Sequence, residues 1–173
     1  EYQEALKCFS SVSVCDPNYT WAVYESSLCY GQLGDNETAY EKCKEAYDLD
    51  KEDAAVIAFL GNLLDELGRT REAIEFFKVN IQKKPYNANL LYNLAVCYLN
   101  NDQPIEAEEV LLREIRIRPF HASSHLALAK ANFAMGRIAQ SYLAYNMAIL
   151  MSPDVSYLTE FEEAVTGEND TLS

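Results

Sequence analysis

The chain holds two histidines and one tryptophan in 173 residues, and its 14 lysines and arginines face 27 aspartates and glutamates. Serine, cysteine and histidine are too few and too scattered for a nucleophile–base pair, so the chain does not read as an enzyme. A Gly-rich phosphate loop is missing as well. The net charge of −13 argues against nucleic acid as a partner, because phosphates must be neutralised by clustered cations. The excess acid reads instead as solvated helix faces that keep the protein soluble. No stretch approaches the roughly 20 apolar residues that span a bilayer, so membrane insertion is not expected. The first residues also lack the basic, apolar and small-residue order of a signal peptide.

Metal and redox signals are weak. Cys8, Cys15, Cys29, Cys43 and Cys97 are an odd set without CxxC or Cys/His ligand spacing. They read as buried free thiols acting as small apolar side chains, which favours a reducing, cytoplasmic setting. His121 and His125 are four apart, a spacing metal sites use. His121 falls at a corner before a helix, however, and no third ligand accompanies the pair, so no metal or other cofactor is expected. Sequons begin at Asn18, Asn36 and Asn169, but they matter only in a secreted eukaryotic protein, and chance supplies such matches in a chain rich in Asn and Thr.

What the sequence does have is a beat. Pro85, Pro119 and Pro153 are 34 residues apart, and Pro17 lies two steps before Pro85. Ala5, Ala39, Ala73 and Ala107 keep the same interval. A fixed period of this size marks a repeat array, which builds an extended surface more readily than a catalytic pocket. Four complete units follow, over 20–53, 54–87, 88–121 and 122–155, each reading as two helices joined by a short turn. Gly34, Gly68 and Gly136 mark the turns, with Asp102 in the third unit, because a helix end there needs a left-handed residue. In the second unit Ile57, Leu60, Gly61 and Leu64 share one helix face, opposite Ala73 and Phe77. Leu91, Leu94, Ala95 and Tyr98 repeat this opposite Ala107 and Leu111.

These residues resemble the tetratricopeptide repeat, whose signature is W-x2-L-G-x2-Y, then A-x3-F, then P. Leu60-Gly61, Ala73, Phe77 and Pro85 carry the match in the second unit, and Leu94, Ala95, Tyr98, Ala107 and Pro119 in the third. The fourth keeps Leu128, Ala129, Tyr145, Ala148 and Pro153 but has His125 at the tryptophan slot and Ser141 at the alanine slot. The first diverges most, with Ser26-Ser27 at the Leu-Gly slot and Lys51 in place of proline. The resemblance implies an all-α solenoid, a right-handed superhelix of antiparallel helix pairs. Residues 1–19 fit the second helix of a preceding unit, so the chain is expected to belong to a longer protein, and its uncapped N-terminal end offers a face for self-association. At the other end 156–166 reads as a capping helix, with Tyr157 and Phe161 inward, and 167–173 as a disordered tail.

The resemblance further implies a protein-binding scaffold that holds an extended or helical segment of a partner in a concave groove lined by the first helix of each unit. The residues expected there are Trp21, Tyr24, Phe59, Asn62, Tyr92, Asn93, Val96, Leu126, Lys130 and Phe133. The set is rich in aromatics, which dominate interface hot spots. Members that bind Hsp70/Hsp90 tails clamp a terminal carboxylate with cations. Here the corresponding positions hold Ala58, Ser123 and Ala127, so that mode is not expected, although Asn62 and Asn93 remain suited to a peptide backbone. Two other roles fit the same residues: a spacer or assembly segment in a larger complex, and the substrate-recruiting arm of an enzyme whose catalytic domain lies elsewhere.

Overall fold

Residues 2–152 are described in the computed structural model, and they form nine α-helices and no strand. A short α1 (Tyr2–Ser10) precedes four helix pairs. They are α2 (Tyr19–Gln32) with α3 (Asn36–Leu49), α4 (Ala54–Glu66) with α5 (Thr70–Lys83), α6 (Ala88–Asn100) with α7 (Pro104–Ile117), and α8 (Ala122–Ala134) with α9 (Ile138–Met151). Pro153, the expected capping helix and the expected tail lie outside the described residues. The chain divides into two compact units, Glu1–Pro85 and Tyr86–Ser173. Within each unit, helices adjacent in the chain pack together.

The turn inside every pair is built the same way. Gly34, Gly68 and Gly136 have φ of 79°, 74° and 72°, and Asp102 takes the same left-handed conformation at 54°. In each case the next amide reaches back to the last helical turn: Asp35 N–H to the Tyr30 carbonyl at 3.0 Å, Arg69 to Leu64 at 2.8 Å, Gln103 to Tyr98 and Arg137 to Asn132, both at 2.9 Å. This closure satisfies carbonyls that a helix end would otherwise orphan. The corner between pairs is made by the residue that closes each 34-residue interval. Asp53 accepts from the Ala55 and Val56 amides at 2.7 and 3.2 Å, and Asn87 accepts from Leu90 at 3.1 Å, as N-caps of α4 and α6. His121 holds the same place before α8 but makes no cap bond to the backbone.

The core lies in the seam of each pair. Ile57, Leu60, Gly61 and Leu64 are all buried, as are Ala73 and Phe77 across from them. A Cβ on Gly61 would stand 2.2 Å from Phe77 Cζ, so the ring occupies the space a side chain would need. In the second unit Ser141 is fully buried, and its hydroxyl donates to the Ala129 carbonyl at 2.9 Å, so a polar residue at the alanine slot costs no lost hydrogen bond. Tyr98 is only half-buried, unlike Leu91, Leu94 and Ala95 beside it.

One sequence expectation needs correction. Cys29, Cys43 and Cys97 are buried free thiols, but Cys8 and Cys15 are exposed, because α1 and the loop after it bury few of their residues. Burial pushes the Cys43 thiol up to about 12, and its Sγ donates to the Val56 carbonyl at 3.6 Å. A thiol reagent at neutral pH should therefore titrate two cysteines in the native chain and five after denaturation. Gly61→Ala should destabilise by roughly 1–3 kcal/mol in urea titrations, the cost of overpacking, and Phe77→Leu in the same chain should recover part of that loss.

Candidate partner-binding surface

The seam fixes which way each first helix presents its remaining side chains. With Leu60, Gly61 and Leu64 turned to α5, the 100° step of a helix leaves Phe59 and Asn62 to one side, and both are half-buried. In the first unit Phe59 meets Tyr24 of α2 edge to face, centroids 6.2 Å apart at 85°. Burial, followed by the nearby Cys43 thiol and the Asp53 and Glu25 carboxylates, holds the Tyr24 phenol above its usual range, so it stays a hydrogen-bond donor at neutral pH. Trp21 is 56% exposed and packs edge-on against Phe9 of α1 at 5.5 Å. Phe9 is not among the residues expected at this surface. A separate cavity of about 300 Å³ opens beside α1, lined by Leu6, Phe9, Val12, Val14, Tyr19, Val23 and Lys42 among others.

The second unit carries an open cavity of about 320 Å³ between α6 and α8. Its lining is Tyr92, Val96, Leu99 and Asn100 from α6 with Ser123, Leu126, Ala127 and Lys130 from α8. Leu126 and Ala127 are each 5% exposed and form the floor, whereas Asn100 and Lys130 are exposed at the rim. Four of the expected residues thus come together: Tyr92, Val96, Leu126 and Lys130. Asn93 is half-buried and outside the lining, and Phe133 packs with Leu128 and Ile149 around the α8–α9 core.

Tyr92 is backed by a polar cluster that sequence patterning did not reveal. Its ring stands edge-on to the His121 ring at 5.2 Å. His121 Nδ1 is 2.6 Å from Ser124 Oγ and 3.4 Å from Glu114 Oε1. Glu114 is fully buried and accepts from Arg118 Nε at 2.7 Å, while Arg118 Nη1 donates to Asn89 Oδ1 at 2.8 Å. The signal available in sequence was a glutamate at the slot Asn80 occupies one interval earlier, a position buried in both helices. Ser124, His121 and Glu114 cannot act as a nucleophile relay in this arrangement, because serine and carboxylate both approach the same ring nitrogen. His125 Nε2 contacts the Pro119 carbonyl at 2.9 Å, so the two histidines serve separate local contacts. Among the described residues no three His, Cys, Asp or Glu side chains are grouped as a metal site requires, and no helix is long and apolar enough to cross a membrane.

The sequence profile of the tetratricopeptide repeat matches residues 30–79 and 68–119, more than half of the chain. The chain belongs to the tetratricopeptide repeat family. As such it is an all-α solenoid of helix pairs, of a family whose members are typically non-catalytic protein-interaction scaffolds. It is 24% identical over 95 residues to the small glutamine-rich tetratricopeptide repeat-containing protein 2 of Mycosarcoma maydis, covering 55% of this chain and 27% of that protein. This tetratricopeptide chain therefore aligns with about a quarter of the curated relative's length. Among solved structures it is similar to a thermophilic repeat protein of Thermus thermophilus, with a TM-score of 0.78, 19% identity, and coverage of 95% and 90% of the two chains. It is likewise similar to MamA from Desulfovibrio magneticus RS-1, at 0.76 and 15% identity over 90% and 88%. These likenesses are of fold.

The His121 environment sets a pH response for the repeat that contains it. Burial, and then the charge of Arg118, lower its pKa below the usual value against the opposing pull of Glu114, so the unfolded chain takes up the proton first. Stability from this group is present above about pH 6.5 and is lost as pH falls through the depressed folded value. The stability lost between pH 7.5 and 5.5 in paired urea titrations should be smaller in His121→Asn than in the wild type.

Proposed function

We propose that this tetratricopeptide chain binds an extended or helical segment of a partner protein on the outward faces of its first-position helices. The observation that carries this reading is the open cavity between α6 and α8, where half-buried Tyr92, Val96 and Leu99 stand over Leu126 and Ala127. Apolar side chains held partly out of water in a concavity gain most when a partner residue covers them. The aromatic strip of Trp21, Tyr24 and Phe59 offers a second contact in the first unit, with Asn62 and Asn93 as amide donors and acceptors toward a peptide backbone. A reducing, cytoplasmic setting belongs to the same proposal and rests on the buried thiols of Cys29, Cys43 and Cys97.

A second reading makes the repeats an assembly segment that contacts partners by other surfaces. It is favoured by Tyr86 and Phe120, which are 82% and 83% exposed and occupy the same place 34 residues apart, after the corner prolines. Self-association through the cavity beside α1 is a variant of this reading.

Affinity capture from source lysate separates the two. A partner retained by the wild type and by Phe120→Ala, but lost with Tyr92→Ala plus Asn93→Ala, is the expected outcome. The double variant should keep its fold, with a loss of about 0.5–1.5 kcal/mol from the edge-to-face pair with His121. Loss of the partner in Phe120→Ala alone would favour the assembly reading, and unfolding of the double variant would make Tyr92 a core residue.

A further inference from the structure

We infer that the cavity between α6 and α8 selects an acidic–apolar segment of its partner protein: a bulky apolar side chain seated over Leu126 and Ala127, with an aspartate or glutamate beside it reaching Lys130. The inference rests on the groove reading above and adds the chemistry of the partner. Its basis is the distribution of charge. Among the described residues no acidic side chain lines the cavity, and Lys130 is the single cation in the lining. Lys130 is exposed and, among the described residues, has no ion-pair partner. Several other cations are engaged in ion pairs: Lys42 with Glu45, Arg69 with Glu72, Lys78 with Glu75, Arg118 with Glu114 and Arg137 with Glu108.

The acidic residues are unevenly distributed along the chain. Residues 1–85 carry 16 acidic and nine basic residues, and 153–173 carry six acidic and no basic ones. Residues 86–152, which contain the cavity, carry five of each. A carboxylate arriving at Lys130 forms a charge-assisted contact beside apolar groups that exclude water. Asn100 and Lys130 sit toward one end. Asn100 ends α6 and Lys130 lies in the later part of α8, whereas Tyr92 and Ser123 lie earlier in their helices. The acidic group is thus placed at the Asn100–Lys130 end, and the apolar anchor between Tyr92 and Leu126. A cavity of about 320 Å³ is at the small end of ligand sites, suited to an anchor of one or two side chains.

The test is a selection of random peptides displayed on phage against the full chain, followed by binding of the enriched peptide as a synthetic probe to variants. The expected result is enrichment of Leu, Ile, Phe or Tyr within four residues of Asp or Glu, with affinity that falls as salt is raised. Lys130→Glu should weaken the probe about tenfold or more, while Lys130→Arg keeps it. Probes that need Tyr92 but ignore Lys130→Glu, or that carry basic residues instead, would overturn the acidic assignment and leave the groove reading standing. Probes indifferent to Tyr92→Ala as well, or no enrichment above background, would overturn both. Displacement of the probe by a synthetic peptide of residues 153–173 would make the occupant this chain's own end. Self-association lost in Lys130→Glu would make it a second copy, and either result would overturn the partner assignment.

Discussion

The rest of the structure depends on one close approach: the Phe77 ring lying where a side chain on Gly61 would be. A large group on the second helix needs a small one on the first, because two helices can be drawn together at native density only where one surface recedes. That contact sets the rotation of α4 about its own axis. With Ile57, Leu60, Gly61 and Leu64 committed to the seam, Phe59 and Asn62 have no freedom to join them and are presented beside α2. The binding surface is in this sense a by-product of the core. Its residues are held by a backbone whose orientation was decided by other side chains.

Each pair meets the same constraint with different atoms. The slots that hold Gly61 and Phe77 are filled by Ser27 and Cys43 in the first pair, by Ala95 and Leu111 in the third, and by Ala129 and Tyr145 in the fourth. All eight are buried, so the interval preserves a size relation more than a residue type. Where the small partner is polar its hydrogen bond stays local, as when Ser27 Oγ donates to the Tyr24 carbonyl at 2.6 Å. Where the large partner shrinks to Cys43, half-buried aromatics including Tyr24, Tyr40 and Phe59 surround the same core cluster and supply the missing volume.

This explains what could be read from residues alone. The period, the helix pairs, the left-handed turn residues and the seam depend on local rules repeated four times, so Gly34, Asp102, Ala73 and Phe77 announce their roles by position. The candidate site was legible only in part. Tyr92, Val96, Leu126 and Lys130 follow from helix phase and do meet at one cavity, but phase cannot say that Phe133 turns into the α8–α9 core or that Asn93 stays off the lining. Cys8 and Cys15 were misread because their burial depends on contacts that α1 lacks. The Glu114, Arg118 and His121 cluster was invisible for a further reason. Its members come from the end of one helix and the cap of the next, and only the corner between α7 and α8 brings them together.

That corner links stability to the surface. His121 takes the cap position held by Asp53 and Asn87 in earlier intervals, but its ring makes no cap bond and is free to stand against Tyr92. An aspartate cap would satisfy one more helix amide, worth on the order of 1 kcal/mol, but its short side chain could not present a flat ring to a tyrosine. The substitution exchanges a local helix contact for a support beneath one wall of the cavity. Glu114 fixes that support from below, fully buried and tied through Arg118 to Asn89 on α6, the helix that carries Tyr92. Asn89, Arg118, Glu114, His121 and Ser124 are joined in sequence by these contacts, so the wall is held on more than one side. An aromatic held in this way loses little conformational freedom when a ligand covers it, which is what a preorganised contact requires.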